Sequence, residues 1–368
     1  MIKYLGSKRT LVPVIGAVAA ALDLRSAADL FAGTTRVGQE LRRRGLRVTS
    51  NDTAAFSESF AQAYIAAGAE VDRAGMRRML NELSALPPVD GYVTETFCRK
   101  SRYFRPENGM RIDAVRSGIE RLALGPVERG LLLTSLIEAA DRVDSTCGVQ
   151  MAYLKRWAPR AGNALELREP EPVAGPPGEV ACGDANRLAA GLDGIDMAYV
   201  DPPYNQHSYL GNYHVWETLA RGDRPDHYGV ACKRADCRTR KSAYNSRREA
   251  WAVLADLLER VATPWIVVSV SDEGFHDPAA VAEKLGERGY VGALAIDFKR
   301  YVGAQIGIHN PAGERVGRVS HLRNTEWLFV CGPDRFALRR AIGSAPPPAV
   351  PCKAEFRLPG NRRGVQPV

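Results

Sequence analysis

The 368-residue sequence predicts an α/β fold built on a Rossmann-like sheet, and residues 27–52 give a first indication of it. Residues 27–33 predict a short strand that runs into a glycine turn, residues 34–44 have helical periodicity, and residues 47–50 predict a second strand. This order is a β–α–β unit. Further strands are predicted at residues 180–182, 197–200, 265–270, 290–296 and 327–330. We expect the last two to pair antiparallel at the edge of the sheet.

The alternation of strands and helices stops between residues 87 and 178. An apolar helix is predicted there at residues 127–143, with Pro126 at its first position. The predicted division therefore has three parts: a discontinuous α/β domain of residues 1–86 and 179–335, an inserted helical domain of residues 87–178, and a basic tail of residues 336–368. The tail is rich in proline, so we expect it to be disordered.

Charge and cysteine content narrow the class of protein. The net charge of +8 suits a nucleic-acid-binding protein, but equally a basic enzyme with a small substrate. The seven cysteines are odd in number and form no CxxC pair, which favours a reducing, cytoplasmic compartment. The spacing of His227, Cys232 and Cys237 fits no familiar zinc finger, so we expect no metal. No apolar stretch is long enough for a bilayer, so we expect no membrane association.

The sequence Asp201-Pro202-Pro203-Tyr204 directly follows the predicted strand at residues 197–200. Ligands of open α/β sheets bind at this carboxyl edge of the strands. The two prolines fix φ and remove amide donors, so the loop is stiff. A carboxylate and a carbonyl held beside an aromatic face can grip a planar ring that bears an amino group. Methyl transfer to the amino group of a base needs such a grip.

A cofactor site is predicted near the first two strands. Gly33 permits close approach of the backbone to a ligand. Asp52 lies about twenty residues later, where an acid can hold a ribose, although it could equally cap the following helix. Asp184 follows the next strand, where it could accept from an adenine amino group or cap a helix. Thr35 stands where a second glycine is usual, which favours a cofactor without phosphates, such as S-adenosylmethionine.

Four segments in this order resemble the Dam-like DNA adenine methyltransferases. They are Tyr4-Leu5-Gly6-Ser7-Lys8, Asp29-Leu30-Phe31-Ala32-Gly33, Gly183-Asp184 and Asp201-Pro202-Pro203-Tyr204. The resemblance covers most of residues 1–332 and is weakest from about 56 to 178. It implies a Rossmann-like methyltransferase sheet with an inserted target-recognition domain. Thr35 departs from the family pattern in the cofactor turn.

The resemblance also implies a role for each matched residue. S-adenosylmethionine would be bound by Tyr4, Gly6, Lys8, Asp29, Phe31, Gly33, Asp52, Asp184 and Asp201. Lys8 would pair with the carboxylate of the cofactor. Asp201 and the Pro202 carbonyl would accept hydrogen bonds from adenine N6, and Tyr204 would stack on the flipped-out base. An isolated Lys8 beside Arg9 could otherwise be a solvated charge.

Two basic segments are candidates for contact with double-stranded DNA, at residues 99–116 and 221–248. The expected contacts are Arg102, Tyr103, Arg105, Lys233, Arg234, Arg240 and Lys241. Charged runs of this kind are also common on solvated faces.

The expected activity is N6-adenine methylation of DNA in a restriction-modification system, with a cognate restriction endonuclease as a further partner. Three alternatives remain: cytosine N4 as acceptor, adenine in RNA as acceptor, and a catalytically silent DNA-binding protein. An aspartate rather than a serine at the head of the tetrapeptide favours adenine within the resemblance.

Overall fold

A computed structural model describes residues 1–6, 8–299 and 323–351. The chain forms two compact units. The helical unit comprises Met1–Ser7, Ala32–Asp184 and His207–Ser242. The sheet unit comprises Lys8–Phe31, Ala185–Gln206 and Ala243–Val368. The boundaries between these two units differ from residues 87 and 178, which the sequence predicts as the limits of an inserted domain. Within the described part of the chain, every helix is too short or too polar to cross a membrane.

Strands of the sheet unit lie side by side in one mixed sheet. Helices and strands are numbered along the chain, and these strands are β1 Ser26–Asp29, β4 Met197–Val200, β7 Trp265–Ser271, β8 Tyr290–Lys299, β9 Arg323–Gly332 and β10 Ala349–Pro351. Their order in space is β10-β8-β9-β7-β4-β1. Strands β1, β4 and β7 run parallel, whereas β9, β8 and β10 add antiparallel pairings. The predicted antiparallel pairing of residues 290–296 with 327–330 is confirmed.

Helices of the sheet unit cover its apolar strands. They are α1 Val12–Ala21, α7 Ala185–Ala189, α10 Ala250–Arg260, α11 Pro278–Gly286 and α12 Arg335–Gly343. All residues of β4 and β7 are buried, as expected of parallel strands that are covered on both faces. Their runs of apolar residues made them recognisable in the sequence. The predicted Rossmann-like α/β fold class is confirmed.

The helical unit joins a pair of parallel strands, β2 Arg47–Asp52 and β3 Glu179–Cys182, to a set of helices. The helices are α2 Arg36–Arg43, α3 Ala55–Ala61, α4 Arg73–Ala85, α5 Pro106–Arg121, α6 Pro126–Val143, α8 Tyr209–Asn212 and α9 His214–Arg221. A small antiparallel hairpin follows, made of β5 His227–Tyr228 and β6 Lys233–Arg234. Pro126 begins α6 as predicted, and the apolar side chains of α6 pack against α3 and α5 in the core of this unit.

The prediction of a disordered tail from residue 336 is wrong for its first part. Helix α12 buries Leu338, Ala341 and Ile342 and packs against α1, β8 and β9. Asp334 caps the helix by accepting from the Phe336 and Ala337 amides. The spacing of these apolar residues is helical, and the proline-rich composition of the later residues concealed it. Residues 352–368 of the predicted tail lie outside the described residues.

Candidate active site

The tetrapeptide Asp201-Pro202-Pro203-Tyr204 leaves the sheet directly after β4. Its last residue is held from the neighbouring strand, because the Tyr204 carbonyl accepts a 2.8 Å hydrogen bond from the Phe275 amide, just beyond β7. A Cβ atom at Gly274 would lie 3.1 Å from the Tyr204 Cβ, so the absence of a side chain there lets the turn pack closely. The two prolines and this turn together fix the position of the Asp201 carboxylate.

A charge cluster, here defined as Lys8, Asp201 and Glu326, surrounds that carboxylate. Lys8 Nζ lies 2.9 Å from Asp201 Oδ1 and 2.5 Å from Glu326 Oε1. Ser269 Oγ donates a 2.7 Å hydrogen bond to the same oxygen of Glu326. The side chains of Lys8 and Asp201 are only 10% and 18% exposed, so water screens their interaction weakly. Lys8 is therefore a buried, doubly paired cation and not a solvated charge.

Burial sets the proton affinities within the charge cluster. It raises the pKa of the Asp201 carboxyl to about 6, with Lys8 opposing the rise and Glu326 adding to it. Burial alone would lower the pKa of Lys8, but the two carboxylates outweigh it and hold the pKa well above the ordinary value. Lys8 consequently stays charged near neutrality, while Asp201 titrates close to it.

Two further predicted residues of the same unit lie at the carboxyl end of β1, Asp29 as its last residue and Phe31 two residues beyond it. Asp29 is buried at 1% exposure, and it acts electrostatically on the buried Tyr199 hydroxyl. Phe31 is half-buried and packs edge-on against Tyr244, with ring centroids 5.2 Å apart. The Tyr244 hydroxyl donates to Asn186 Oδ1 at 2.7 Å, which fixes the ring that Phe31 contacts.

In the helical unit, Asp52 bridges two loops. Its Oδ2 accepts a 2.8 Å hydrogen bond from the Gly33 amide, and its Oδ1 accepts a 3.0 Å bond from the Ala54 amide. The sequence also allowed Asp52 to be the N-cap of the following helix. The N-cap of α3 is Ala54, so Asp52 does not have that position. Burial raises the pKa of Asp52, although the backbone donors oppose this. Asp184 is exposed, directly after β3 and Gly183.

Aromatic packing explains the glycines at positions 6 and 33. Tyr4 stacks on Tyr213 and Tyr209, with centroid distances of 4.6 and 5.5 Å. Gly33 has φ +52°, and a Cβ there would lie 3.0 Å from the Tyr4 ring. Gly6 has φ +74°, and a Cβ there would lie 2.8 Å from the Tyr209 hydroxyl. Both positions therefore need glycine for conformation and for space.

The departure at Thr35 has a local explanation. Thr35 has φ +61° and precedes α2. Its hydroxyl donates to the Thr34 carbonyl and accepts from Gln39 Nε2, and these bonds hold a conformation that is uncommon for threonine.

Of the seven predicted DNA contacts, five are exposed at least in part. Arg105, Arg240 and Lys241 are exposed, and Arg102 and Lys233 are half-buried. The Arg102 and Arg105 guanidinium carbons lie 4.7 and 5.5 Å from the centroid of the Trp157 ring. The Arg240 guanidinium also donates to Glu217 at 3.1 Å and to the Thr53 carbonyl at 3.3 Å, next to Asp52.

The other two, Tyr103 and Arg234, lie in the core of the helical unit. Tyr103 is fully buried, and its hydroxyl lies 2.7 and 2.9 Å from the carbonyl oxygens of Gln150 and Ala231. Arg234 is 2% exposed and donates from both terminal nitrogens to Asp223, each at 2.7 Å. Their polar groups are engaged inside the protein, so the structure does not present these two residues to a ligand.

Glu326 and Ser269 were absent from the predicted set of site residues. Glu326 lies in β9, next to the buried residues Leu328, Phe329 and Val330. An acidic residue in an apolar strand is the signal that could have identified it, because a buried carboxylate needs a partner. Ser269 in β7 carried no comparable signal.

Comparison with known proteins identifies the family of this chain. Residues 4–264 match the family model of D12 class N6 adenine-specific DNA methyltransferases. The type II methyltransferase M.NlaIII of Neisseria lactamica is 31% identical over 282 residues, which cover 74% of this chain and 83% of that protein. The modification methylase StsI of Streptococcus sanguinis is 30% identical, covering 81% of this chain and 48% of that protein.

The type II methyltransferase M.FokI of Planomicrobium okeanokoites is 32% identical, covering 67% of this chain and 40% of that protein. The chain thus spans most of the first relative and less than half of the other two. A solved structure, precorrin 8w decarboxylase of Methanobacterium thermoautotrophicum, aligns with 87% of this chain and 89% of its own at 12% identity, with a TM-score of 0.27. The family match and the first relative show that the chain belongs to the D12 class N6 adenine-specific DNA methyltransferases.

Proposed function

We propose that this chain transfers the methyl group of S-adenosylmethionine to N6 of an adenine flipped out of double-stranded DNA, with Asp201 as the catalytic carboxylate. The observation that carries the proposal is the state of that carboxylate. Lys8 holds Oδ1, and Oδ2 has no hydrogen-bond or ion-pair partner among the described residues. Oδ2 can therefore accept a hydrogen bond from a substrate.

The residues after β4 suit the amino group of adenine. The N6 lone pair is delocalised into the ring, so N6 is a poor nucleophile. Asp201 Oδ2 and the Pro202 carbonyl would accept its two N–H bonds and draw the nitrogen toward a tetrahedral shape. Tyr204, half-buried beside them, would stack on the base. Positioning and electrostatics supply the rate, without a covalent bond between enzyme and substrate.

Residues of the helical unit suit the ribose of the cofactor. Asp52 Oδ2 accepts from the Gly33 amide and Oδ1 from the Ala54 amide, and a carboxylate oxygen can accept more than one donor, which suits the two vicinal hydroxyls of a ribose. Gly33 has no side chain, so its own backbone can approach the ligand closely. When bound, S-adenosylmethionine supplies a methyl group activated by its sulfonium.

The proton balance of the reaction involves Asp201. A bond forms between N6 and the methyl carbon, the bond between sulfur and that carbon breaks, and N6 loses one proton. In this proposal Asp201 Oδ2 receives that proton. Because the pKa of the Asp201 carboxyl is about 6, the carboxyl releases the proton to water near neutrality. The Lys8 ammonium group already donates to the carboxylates of Asp201 and Glu326. An ion pair with the carboxylate of the cofactor would use its third N–H donor, and this pairing stays a prediction.

We further propose that the chain works in a modification system with a cognate restriction endonuclease. The relatives described as type II methyltransferases and modification methylases support this proposal. The odd number of cysteines and the lack of a CxxC pair in the sequence suit a reducing cytoplasm.

Plasmid DNA from a host without DNA methyltransferases tests the activity. We expect protein and methyl-labelled S-adenosylmethionine to place the label on N6-methyldeoxyadenosine, measured by mass spectrometry of the hydrolysed nucleosides. An RNA transcript of the same sequence serves as the second acceptor, and Asp201→Ala serves as the control enzyme. Label on N4-methylcytosine, or on the transcript alone, would contradict the proposal.

Two substitutions in the basic segment after α9 should separate folding from DNA contact. Arg234→Ala removes the buried guanidinium that pairs with both Asp223 and Asp236, so we expect it to lower the free energy of unfolding by about 2 kcal/mol. Lys241→Ala removes an exposed charge, so we expect unchanged stability, weaker DNA binding across all sequences, and a salt-dependence slope lower by about one. Urea unfolding and DNA titrations at several salt concentrations measure both effects. Unchanged salt dependence in Lys241→Ala would remove this residue from the DNA contacts.

A further inference from the structure

A second buried carboxylate lies next to the catalytic one, and the mechanism above does not use it. Glu326 is 8% exposed and belongs to β9, where its register partner on β7 is Ser271. Burying a carboxylate is unfavourable unless charged and hydrogen-bonding partners satisfy it. Here Lys8 and Ser269 both donate to the same oxygen, Oε1. The position of Glu326 is therefore tightly specified.

The contacts of Glu326 also specify the position of Lys8. The flexible side chain of a lysine loses its freedom when two acceptors fix its ammonium group. Glu326 provides one of these acceptors from β9, and Asp201 Oδ1 provides the other. Lys8 is thereby directed to Oδ1, and Oδ2 is kept for the amino group of the substrate.

Glu326 also changes the charge that Asp201 experiences. With both carboxylates ionised, one cation and two anions give the cluster a net charge of −1. Without Glu326, Lys8 would neutralise Asp201 alone and weaken it as a hydrogen-bond acceptor. A net negative cluster also suits a reaction in which the methyl donor is a sulfonium cation.

We propose that Glu326 is a positioning residue of the methyl-transfer reaction, which divides the charge of Lys8 and keeps Asp201 a strong acceptor for N6 of adenine. The proposal rests on the proposed function, because it assigns Glu326 an effect on the residue that binds the acceptor. Glu326 touches neither the base nor the methyl group and acts through Lys8.

The groups that act electrostatically on Asp201 are few among the described residues. They are Lys8, Glu326, Tyr199 and Tyr204. Burial raises the pKa of both tyrosines above the ordinary value, so they stay neutral around pH 6. Asp29 acts on Tyr199 from the end of β1. A change in the pH profile after substitution of Glu326 would therefore report on Asp201 and its pairing with Lys8.

The test uses Glu326→Gln in the full-length enzyme, with single-turnover methylation of unmethylated plasmid DNA measured between pH 5 and pH 8. We expect the rate at pH 8 to fall about tenfold, the size of one lost charge-assisted contact. We also expect the acid limb to move to lower pH, because the negative charge that raises the pKa of Asp201 is gone. DNA binding, measured by titration, should not change. Glu283→Gln, an exposed position on α11, is the matched control and should behave as the wild type.

The outcomes separate the proposals. A wild-type rate with an unmoved acid limb in Glu326→Gln overturns the role of Glu326, and so does a slower rate with an unmoved limb, which is what a purely structural defect would give. If circular dichroism shows that Glu326→Gln is unfolded, Ser269→Ala decides, because it loosens Glu326 without changing charge. For Ser269→Ala, a loss of rate smaller than about tenfold together with a shifted acid limb of the pH profile supports the proposal. A wild-type rate and a wild-type pH profile in Ser269→Ala overturn it. A wild-type enzyme that puts no label on adenine overturns the proposed function itself, and with it the role of Glu326.

Discussion

Asp201→Ala is expected to slow methyl transfer by about a thousandfold or more while DNA affinity stays within about twofold of the wild type. The substitution removes the acceptor for the N6 proton and leaves Lys8 paired with Glu326. Single-turnover transfer of labelled methyl groups measures the rate, and DNA titration measures the affinity. The matched control is Asp193→Ala, an exposed aspartate in the turn before β4. A variant that methylates at a near-normal rate would show that Asp201 is not the catalytic carboxylate.

The titration of Asp201 gives this prediction a second measurement. Its pKa is raised by burial from 3.8 to about 6, so methylation by the wild type should decline as the pH falls through 6. Between these two values the folded protein binds more protons than the unfolded chain, so the stability that Asp201 contributes falls as the pH rises. The stability of the wild type relative to Asp201→Ala should therefore fall from pH 4 to pH 6 in urea unfolding. If the free energies of unfolding of the wild type and of Asp201→Ala changed in parallel between pH 4 and pH 6, the result would contradict the buried environment of Asp201.

The parts of the site that follow a strand could be predicted from the sequence. Asp201 follows the apolar strand β4 and Asp52 is the last residue of β2, and the sequence predicted a strand before each of them. Glu326 could not be placed in this way, because 318 positions of sequence separate it from Lys8 and only the sheet topology brings them together. Burial of Tyr103 and Arg234 was missed for a similar reason. Basic and aromatic residues in alternation suggest a surface, and only distant partners such as Asp223 show that they are internal.

The division into units shows a further limit of sequence patterns. The strands stop after β2 at Asp52, before residue 87, and resume at β3, and α4, α5 and α6 belong to the same compact unit as these two strands. Helix α6 packs against α3, which precedes the break. Periodicity detects where the type of element changes, whereas a structural unit depends on which apolar faces pack together.

Asp52→Asn should weaken the binding of S-adenosylmethionine roughly tenfold to a hundredfold, and lower the free energy of unfolding by about 1–2 kcal/mol because one backbone amide loses its carboxylate acceptor. An amide keeps one acceptor oxygen where the carboxylate has two, and a hydrogen bond to a charged group contributes about 1.5–3 kcal/mol. The oxygen that remains can accept from either the Gly33 or the Ala54 amide, so one loop contact is retained. Calorimetric titration with the cofactor, in the absence of DNA, measures the affinity independently of activity. Asp193→Asn is the control for the same chemical change at an exposed position.

The direction of the pH effect distinguishes a ribose-binding carboxylate from a purely structural one. Burial raises the pKa of Asp52, so its ionised form is lost at a higher pH than that of an exposed aspartate. If Asp52 accepts hydrogen bonds from ribose hydroxyls, wild-type affinity for the cofactor should decline on acidification, and the decline should be absent in Asp52→Asn. A folded Asp52→Asn protein with unchanged affinity would limit Asp52 to joining the Gly33 turn to the start of α3, and the ribose would need another acceptor.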